Sequence, residues 1–161
     1  MASHLEQLVA EYLEWKGFLI KRNIKVGKRP LGGWEMELDI IGYHPQSNRL
    51  VHYEPSLDVN AWSKKEARYK KKFAAGQKYI TSQLFKWISP ETQLEQFAIF
   101  TARPKGHTEI AGGKVLAVDD FVREVINEVS ASGKMIGNAI PETYPLLRTI
   151  QLVSCGYSRK P

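Results

Sequence analysis

Apolar residues near the start of the chain recur every three or four positions, which is the spacing of one face of an α-helix. Ser3 followed three residues later by Glu6 has the form of a capping box, and Gly17 suits the end of a helix. The pattern predicts a helix over residues 4–16, with an apolar face made of Leu5, Leu8, Val9, Tyr12 and Leu13.

Apolar and polar positions alternate in the next part of the chain, as they do in strands that bury one face. We expect three strands, over residues 18–26, 34–43 and 50–56. A loop at residues 28–33 separates the first two, and a hairpin connection separates the last two. In the second strand the alternation predicts one face made of Trp34, Met36, Leu38 and Ile40 and an opposite face made of Glu35, Glu37 and Asp39.

The rest of the chain predicts two more helices and further strands. Ser63 and Glu66 form a second capping-box pattern, which predicts a long helix that ends before Pro90. Strands are expected at residues 97–102 and 115–118, followed by a helix capped by Asp119. Residues 144–153 are apolar enough to pack against the body. The order αβββαβ(β)α predicts one α/β domain over residues 1–161, with a mixed β-sheet flanked by helices.

Composition narrows the class of protein. The chain has 161 residues, 43% of them apolar and 11% aromatic, which is enough for a sizeable core and excludes a disordered chain. A single cysteine, Cys155, excludes an internal disulfide framework and a Cys-rich zinc site. No apolar run is long enough to span a membrane, and no secretory signal pattern is visible. We therefore expect a soluble, cytoplasmic protein.

Positive charge is concentrated in one segment. The formal net charge is +6, and residues 64–78 alone carry a net +6. Such a local field attracts polyanions, of which nucleic acid is the usual partner. The simpler alternative is a solvated helix face. The expected nucleic-acid-binding residues are Lys64, Lys65, Arg68, Lys70, Lys71, Lys72 and Lys78, together with Trp62, which is placed to stack on a base.

Two carboxylates provide the candidate chemistry. Asp39 and Glu54 lie on consecutive predicted strands, and an antiparallel hairpin can place them side by side. Carboxylates that close repel each other unless one is protonated or a cation lies between them. Hard oxygen ligands without a cluster of Cys or His favour Mg²⁺ or Mn²⁺ over zinc. A divalent ion beside a basic helix indicates phosphodiester hydrolysis.

These residues also carry a resemblance to a known family. The segments 37–41 and 51–56, with a helix before them and a basic helix after them, resemble the restriction-endonuclease-like PD-(D/E)xK nucleases, in particular the branch related to RecB and Mrr. The resemblance covers residues 4–102 and implies that Asp39 and Glu54 bind Mg²⁺ or Mn²⁺. It further implies that Glu6 is an additional metal ligand and that Gln77 orients substrate or water. A helix-capping role for Glu6 remains the alternative.

One position departs from the family pattern. The usual lysine, two residues after the second acid, is replaced by Ser56. Either a lysine of the next helix has taken over its role, or activity has been lost; the available lysines are Lys65, Lys70, Lys72 and Lys78.

The leading hypothesis is a metal-dependent nuclease acting on DNA, with a symmetric dimer expected for a duplex cutter. The alternatives are an inactive DNA-binding module and a small interaction domain with an incidental basic helix. The expected catalytic residues are Asp39, Glu54, Ser56, Gln77 and Lys78.

Overall fold

The computed structural model describes residues 3–103, 105–133 and 135–157 and shows a mixed α/β fold. The element order begins αβββαβ, as the sequence predicts. The strands are β1 (Leu19–Lys28), β2 (Trp34–His44), β3 (Arg49–Ser56), β4 (Leu94–Phe100), β5 (Glu109–Ile110) and β6 (Gly113–Ala117). The helices are α1 (His4–Trp15), α2 (Trp62–Tyr79), α3 (Val118–Ala131), α4 (Met135–Asn138) and α5 (Pro145–Leu152).

The strands form one open sheet of six strands in the order β1-β2-β3-β4-β6-β5. The first three strands are antiparallel neighbours, whereas β3, β4 and β6 are parallel. The short strand β5 closes the far edge antiparallel to β6. Helix α2 makes the crossover between the parallel strands β3 and β4, as such a connection requires.

Helices cover both faces of this sheet. On one face α1, α3 and α5 pack through residues such as Leu5, Val125 and Leu147 onto Val51 and its neighbours. On the other face α2 packs by Tyr69, Phe73, Ala75 and Tyr79 onto the alternate side chains of the strands. The result is three layers. Among the described helices of eight or more residues, the basic helix α2 is the only one on its side of the sheet.

Three predictions about helix ends are wrong. Helix α2 begins one residue before Ser63, and its N-cap is Ala61 without a side-chain hydrogen bond. It ends at Tyr79 and continues only as a π-helical turn (Ile80–Leu84), so it stops short of Pro90, and Ile80 and Phe85 pack in the core. Asp119 is not a cap either, since α3 begins at Val118. Asp119 instead lies in the first turn, where its negative charge interacts favourably with the helix dipole.

The strands differ from the prediction in two ways. The strand expected at residues 97–102 begins three residues earlier and ends at Phe100. The two-residue strand β5 was not predicted, because so short a segment carries no periodicity. The described part of the chain contains no helix that is both long and apolar enough to cross a membrane.

Candidate active site

Strands β2 and β3 separate where the two predicted acids lie. In chain order, Ile40 is the first residue of β2 that pairs with β3, and it lies opposite Tyr53. Asp39 and Glu54 are therefore the next pair in register, just beyond the paired region. Their backbones do not pair. Instead the Asp39 N–H donates to Glu54 Oε1 at 3.1 Å, while β3 continues beside β4 as far as Ser56. The carboxylate of Glu54 therefore fills the gap that opens between the two strands.

The same point interrupts the alternation of β2. On β1, the residue opposite Asp39 is Asn23, whose φ of +51° is in the left-handed region. Leu38 packs with the core cluster under α2, whereas Ile40 packs with the cluster on the other face. The prediction that Leu38 and Ile40 share a face is therefore wrong, because the paired strands are distorted at Asn23 and Asp39.

Lys72 of α2 joins the two acids. Its Nζ donates to Asp39 Oδ1 at 3.0 Å and makes a second, closer contact with Glu54 Oε2. Because Asp39 Oδ1 and Glu54 Oε2 both lie within hydrogen-bond distance of the same nitrogen, they are at most about 6 Å apart. The Glu54 side chain is fully buried, and the side chains of Lys72 and Asp39 are only 13% and 14% exposed. The site therefore meets solvent through Asp39 and Lys72.

A buried network holds Glu54 from behind. His52 Nε2 lies 2.8 Å from Glu54 Oε1, and His52 Nδ1 lies 3.0 Å from Gln96 Nε2. The Gln96 amide also donates to the carbonyl oxygen of Phe73, and its Oε1 accepts a hydrogen bond from Gln77. Because an amide nitrogen only donates, His52 Nδ1 accepts and Nε2 donates its proton to Glu54. The network fixes the orientation of the carboxylate and leaves Oε2 to face Lys72.

Glycine is required where α2 crosses this network. A Cβ at Gly76 would lie 2.6 Å from His52 Nδ1 and 2.8 Å from Gln96 Nε2, which is closer than real Cβ contacts. Two turns earlier on the same helix, the hydroxyl of the buried Tyr69 donates to the Glu54 carbonyl oxygen at 2.8 Å. Helix α2 is thus held tightly against β3, and this contact places Lys72 over the acids.

The charges of the site shift the pKa values of its members in opposite directions. Burial, followed by the hydrogen bond and charge of Glu54, raises the pKa of Asp39. The pKa of Glu54 is lowered in spite of its burial, because the hydrogen bond from His52, the contact with Asp39 and the charge of Lys72 favour the carboxylate. The two carboxylates likewise raise the pKa of Lys72 against the effect of burial. At neutral pH Glu54 and Lys72 are charged.

Three other residues expected in the site lie outside it. The Ser56 hydroxyl donates to Asp58 Oδ2 at 2.6 Å and so closes the turn after β3. Gln77 reaches Glu54 only through Gln96 and His52. Lys78 instead pairs with Glu35 at 3.3 Å.

Glu6 and Trp62 were also expected to contribute to function. The backbone N–H of Glu6 donates to Ser3 Oγ at 3.2 Å, so that Ser3 caps the helix without involving the Glu6 carboxylate. Among the residues that the structure describes, no group of three His, Cys, Asp or Glu side chains is arranged to hold a metal ion, so Glu6 does not join the two acids. The Trp62 ring packs against the rings of His107 and Phe100, with centroids 4.0 and 6.1 Å away.

The basic segment divides between structural and exposed residues. Lys65 is buried, 3.7 Å from Asp58 and over the ring of Phe100, and Arg68 pairs with the same aspartate at 2.7 Å. Lys72 belongs to the site. Within the described ranges, the exposed lysines of this helix for which the structure shows no ion pair are Lys64, Lys70 and Lys71.

A divalent cation fits the chemistry of the two acids. Asp39 Oδ1 and Glu54 Oε2 both face one cation in the structure, the ammonium group of Lys72. Mg²⁺ keeps several waters and is commonly held by one or two carboxylates with phosphate oxygens. Two convergent carboxylates that open to solvent on the Asp39 side are consistent with this preference. Zinc sites usually include His or Cys ligands, and both ring nitrogens of His52 are engaged with Glu54 and Gln96.

Sequence reasoning missed His52 and Gln96 as members of the site. Alternation along β3 does place His52 on the face of Glu54, and that signal was available. Gln96 carried no signal, because it meets His52 through the parallel pairing of β3 and β4 across the α2 crossover. Lys72 was one of the four available lysines, but the catalytic role was assigned to Lys78, which pairs with Glu35 instead.

Comparison with known proteins adds no relative. No family model matches the chain, and searches of curated proteins and of solved structures found no significant match.

Proposed function

We infer that the protein is a metal-dependent nuclease that hydrolyses phosphodiester bonds in DNA. The observation that carries this inference is the contact of Lys72 Nζ with both Asp39 and Glu54. Two acids and a lysine are the residue types of the PD-(D/E)xK pattern, and here the lysine comes from α2 instead of the position of Ser56. The order αβββαβ and the mixed sheet between helices also support a restriction-endonuclease-like fold.

Asp39 and Glu54 are the residues that would hold Mg²⁺ or Mn²⁺. When bound, such an ion activates a water molecule and neutralises the charge that develops on the phosphate. Glu54 is held in its ionised form by His52, so this ligand needs no deprotonation before it binds a cation. A cation bound between the two acids would favour the charged form of Asp39, because it would offset the repulsion from Glu54.

Lys72 is the residue that would act on the substrate. It is the cation at the solvent side of the site, and a positive group aimed at developing charge stabilises a transition state strongly. In the role of the family lysine it would hold a phosphate oxygen or the attacking water. The exposed Lys64, Lys70 and Lys71 on the same helix would bind the phosphate backbone.

The second candidate is a DNA-binding module without chemistry. The observation in its favour is that Lys72 already places a positive charge against both acids, which reduces their need for a metal ion. Both candidates share a cytoplasmic location and DNA as partner, and a dimer is the expected form for an enzyme that cuts both strands.

Cleavage assays separate the two candidates. Purified protein is incubated with labelled single-stranded and duplex DNA in Mg²⁺, in Mn²⁺ and in chelator, and binding is measured on the same molecules. We expect cleavage that needs the metal and that is abolished in Asp39→Asn and Glu54→Gln, while both variants still bind DNA. Binding without cleavage in either metal would establish the non-catalytic module. Absence of both would remove the nucleic-acid function.

A further inference from the structure

The tip of the β1–β2 hairpin, residues 28–34, presents apolar side chains to solvent. Leu31 is 102% exposed and Trp34 is 44% exposed. The turn is closed by hydrogen bonds from the Arg29 N–H to the Gly33 carbonyl oxygen at 3.0 Å and from the Gly32 N–H to the Arg29 carbonyl oxygen at 3.1 Å. Leu31 and Trp34 are thus carried on a defined turn, between the exposed cations Lys28 and Arg29 on one strand and the start of β2 on the other.

A cleft separates the base of this tip from helix α2. Its volume is about 410 Å³, and its charged lining residues are Arg29, Glu35, Lys71 and Lys78. Glu35 is already engaged, because it pairs with Lys78 at 3.3 Å and also accepts a hydrogen bond from the Tyr79 hydroxyl. Arg29 on one wall and Lys71 on the other therefore leave the cleft with an excess of positive charge.

The cleft and the candidate active site lie along the same two elements, β2 and α2. Strand β2 runs from Glu35 in the cleft to Asp39 in the site, a distance of about 13 Å at the usual rise of a strand. On the opposite wall, Lys71 lines the cleft and its neighbour Lys72 contacts the acids. A DNA strand held between Arg29 and Lys71 would therefore lie beside the two elements that carry Asp39 and Lys72.

The chemistry of the tip selects for unpaired bases. Cations bind phosphates of any nucleic acid, but Leu31 and Trp34 can contact base faces only where bases are unstacked or unpaired. Aromatic side chains beside a basic groove are the usual means of holding a single strand. Lys71 and Arg29 supply the groove, and Trp34 supplies the stacking surface.

We propose that the hairpin tip binds the bases of a single-stranded DNA segment whose backbone lies in the Arg29–Lys71 cleft, so that the substrate is a single strand or a duplex with a single-stranded arm. This inference rests on the proposed nuclease function and names its substrate class. The cleft lies along the two elements that carry Asp39 and Lys72, β2 and α2. This position favours nucleic acid over a lipid surface, to which an exposed Leu-Trp tip with cations is also suited.

Binding measurements on the full chain test the proposal. The probes are one oligonucleotide as a single strand, as a blunt duplex and as a duplex with a single-stranded arm. The test variant is Leu31→Ala with Trp34→Ala. The matched control is Leu19→Ala with Trp87→Ala, since Leu19 is 53% exposed at the opposite end of the same hairpin and Trp87 is 62% exposed. Thermal unfolding of both variants verifies that they are folded.

The wild type is expected to bind the single strand and the armed duplex more tightly than the blunt duplex. The test variant should lose about fivefold or more of its affinity for the first two probes, because stacking on one base contributes at least that much. Its affinity for the blunt duplex, and the affinity of the control for all three probes, should change by less than twofold.

Three outcomes would overturn the proposal while leaving the nuclease standing: tighter binding of the blunt duplex by the wild type, equal losses in both variants, and unchanged affinity of the test variant for single strands. Association of the wild type, but not of the test variant, with anionic phospholipid vesicles, together with unchanged DNA binding, would reassign the tip to a membrane surface. Failure of the wild type to bind any of the three DNA probes would instead remove the proposed function itself.

Discussion

Lys72 Nζ donates to Asp39 Oδ1 at 3.0 Å, so that a helix supplies a cation to a carboxylate at the distorted point of a strand. The PD-(D/E)xK pattern would place the lysine at the position of Ser56, whose hydroxyl instead holds Asp58. We predict that Lys72→Met lowers the turnover of DNA cleavage about 100-fold or more, because removal of a group that stabilises developing charge has effects of about 10²–10³. The measurement is kcat under saturating substrate.

Lys70→Met is the matched control for this prediction. Lys70 lies two residues earlier on the same helix, is exposed, and has no ion pair within the described part of the chain. Its loss should weaken binding about twofold to tenfold and leave kcat nearly unchanged. Equal, small effects of the two substitutions on kcat would count against a catalytic lysine on α2, and so would an increase in cleavage by Ser56→Lys.

The two acids are expected to affect stability in opposite directions. The pKa of Asp39 is raised and that of Glu54 is lowered, so that folding disfavours the charge of the first and favours the charge of the second. Asp39→Asn should therefore raise the Tm at pH 8, whereas Glu54→Gln should lower it, since the amide cannot satisfy both His52 and Lys72. A change of about 1 kcal/mol corresponds to about 2–4 °C for a chain of this size. A lower Tm in both variants would contradict the assigned charge state.

The pH dependence of this difference follows from the direction of the Asp39 shift. A raised pKa means that the folded state holds a proton that the unfolded state releases. Asp39 therefore contributes fully to the free energy of unfolding below its unfolded pKa of about 3.9. This contribution is lost as the pH rises through the higher pKa of the folded state. The Tm advantage of Asp39→Asn over the wild type should therefore be small at pH 5 and largest at pH 8–9. Thermal unfolding at a series of pH values measures it. An advantage that shrinks with rising pH would show that Asp39 is not the protonated member.

Local patterns predicted the elements that carry the acids. The helical spacing of α1 and the alternation of β2 and β3 depend on neighbouring residues, so both types of element and the adjacency of Asp39 and Glu54 followed from them. The alternation failed at Asp39 itself. The chain distortion there involves Asn23, which lies opposite only after β1 and β2 have paired. A periodicity within one strand does not contain that information.

The choice of lysine depended on tertiary structure. Helical spacing places Lys65, Tyr69, Lys72 and Gly76 on the same side of α2, and all four face the sheet. Which of the two lysines meets the acids depends on how far the helix extends along β3. Contacts of Tyr69 with the Glu54 carbonyl and of Gly76 with His52 decide this, and both join residues from different elements. Lys65 is displaced toward Asp58 and the ring of Phe100 for the same reason.

Gly76→Ala should disturb the site without removing any of its functional groups. The new methyl group would lie 2.6 Å from His52 Nδ1, so either α2 or the His52–Gln96 pair must move. Overpacking of this kind costs about 1–3 kcal/mol, which lowers the Tm by roughly 2–12 °C. Because His52 orients Glu54, cleavage should fall with it, measured at a temperature where the variant is fully folded.

Gly137→Ala is the control for this substitution. Gly137 lies in α4, its φ is not in the left-handed region, and a Cβ there meets nothing within 4 Å. Alanine favours a helix over glycine, so this variant should keep or slightly raise the Tm and cleave DNA normally. A Gly76→Ala variant with the Tm and activity of the control would mean that the His52–Gln96 network has room that the structure does not show.

The basic helix should determine the salt dependence of DNA binding, but with fewer residues than its charge suggests. Of its seven cations, Lys65 is buried, Lys72 contacts the acids, and Arg68 and Lys78 are paired with carboxylates. Three exposed lysines remain, and at about −0.9 per phosphate the slope of log K against log salt for duplex DNA should be about −3. Lys70→Glu with Lys71→Glu should flatten this slope by about two units and weaken the binding of all sequences similarly.

As the control, Lys86→Glu with Arg123→Glu reverses two exposed charges outside α2, of which Arg123 lies on the opposite face of the sheet, and it should change the slope little. A salt titration of the wild type and both double variants measures the three slopes. Equal flattening in the two variants would show that binding follows net charge alone, and a slope near zero in the wild type would leave α2 as a solvated helix.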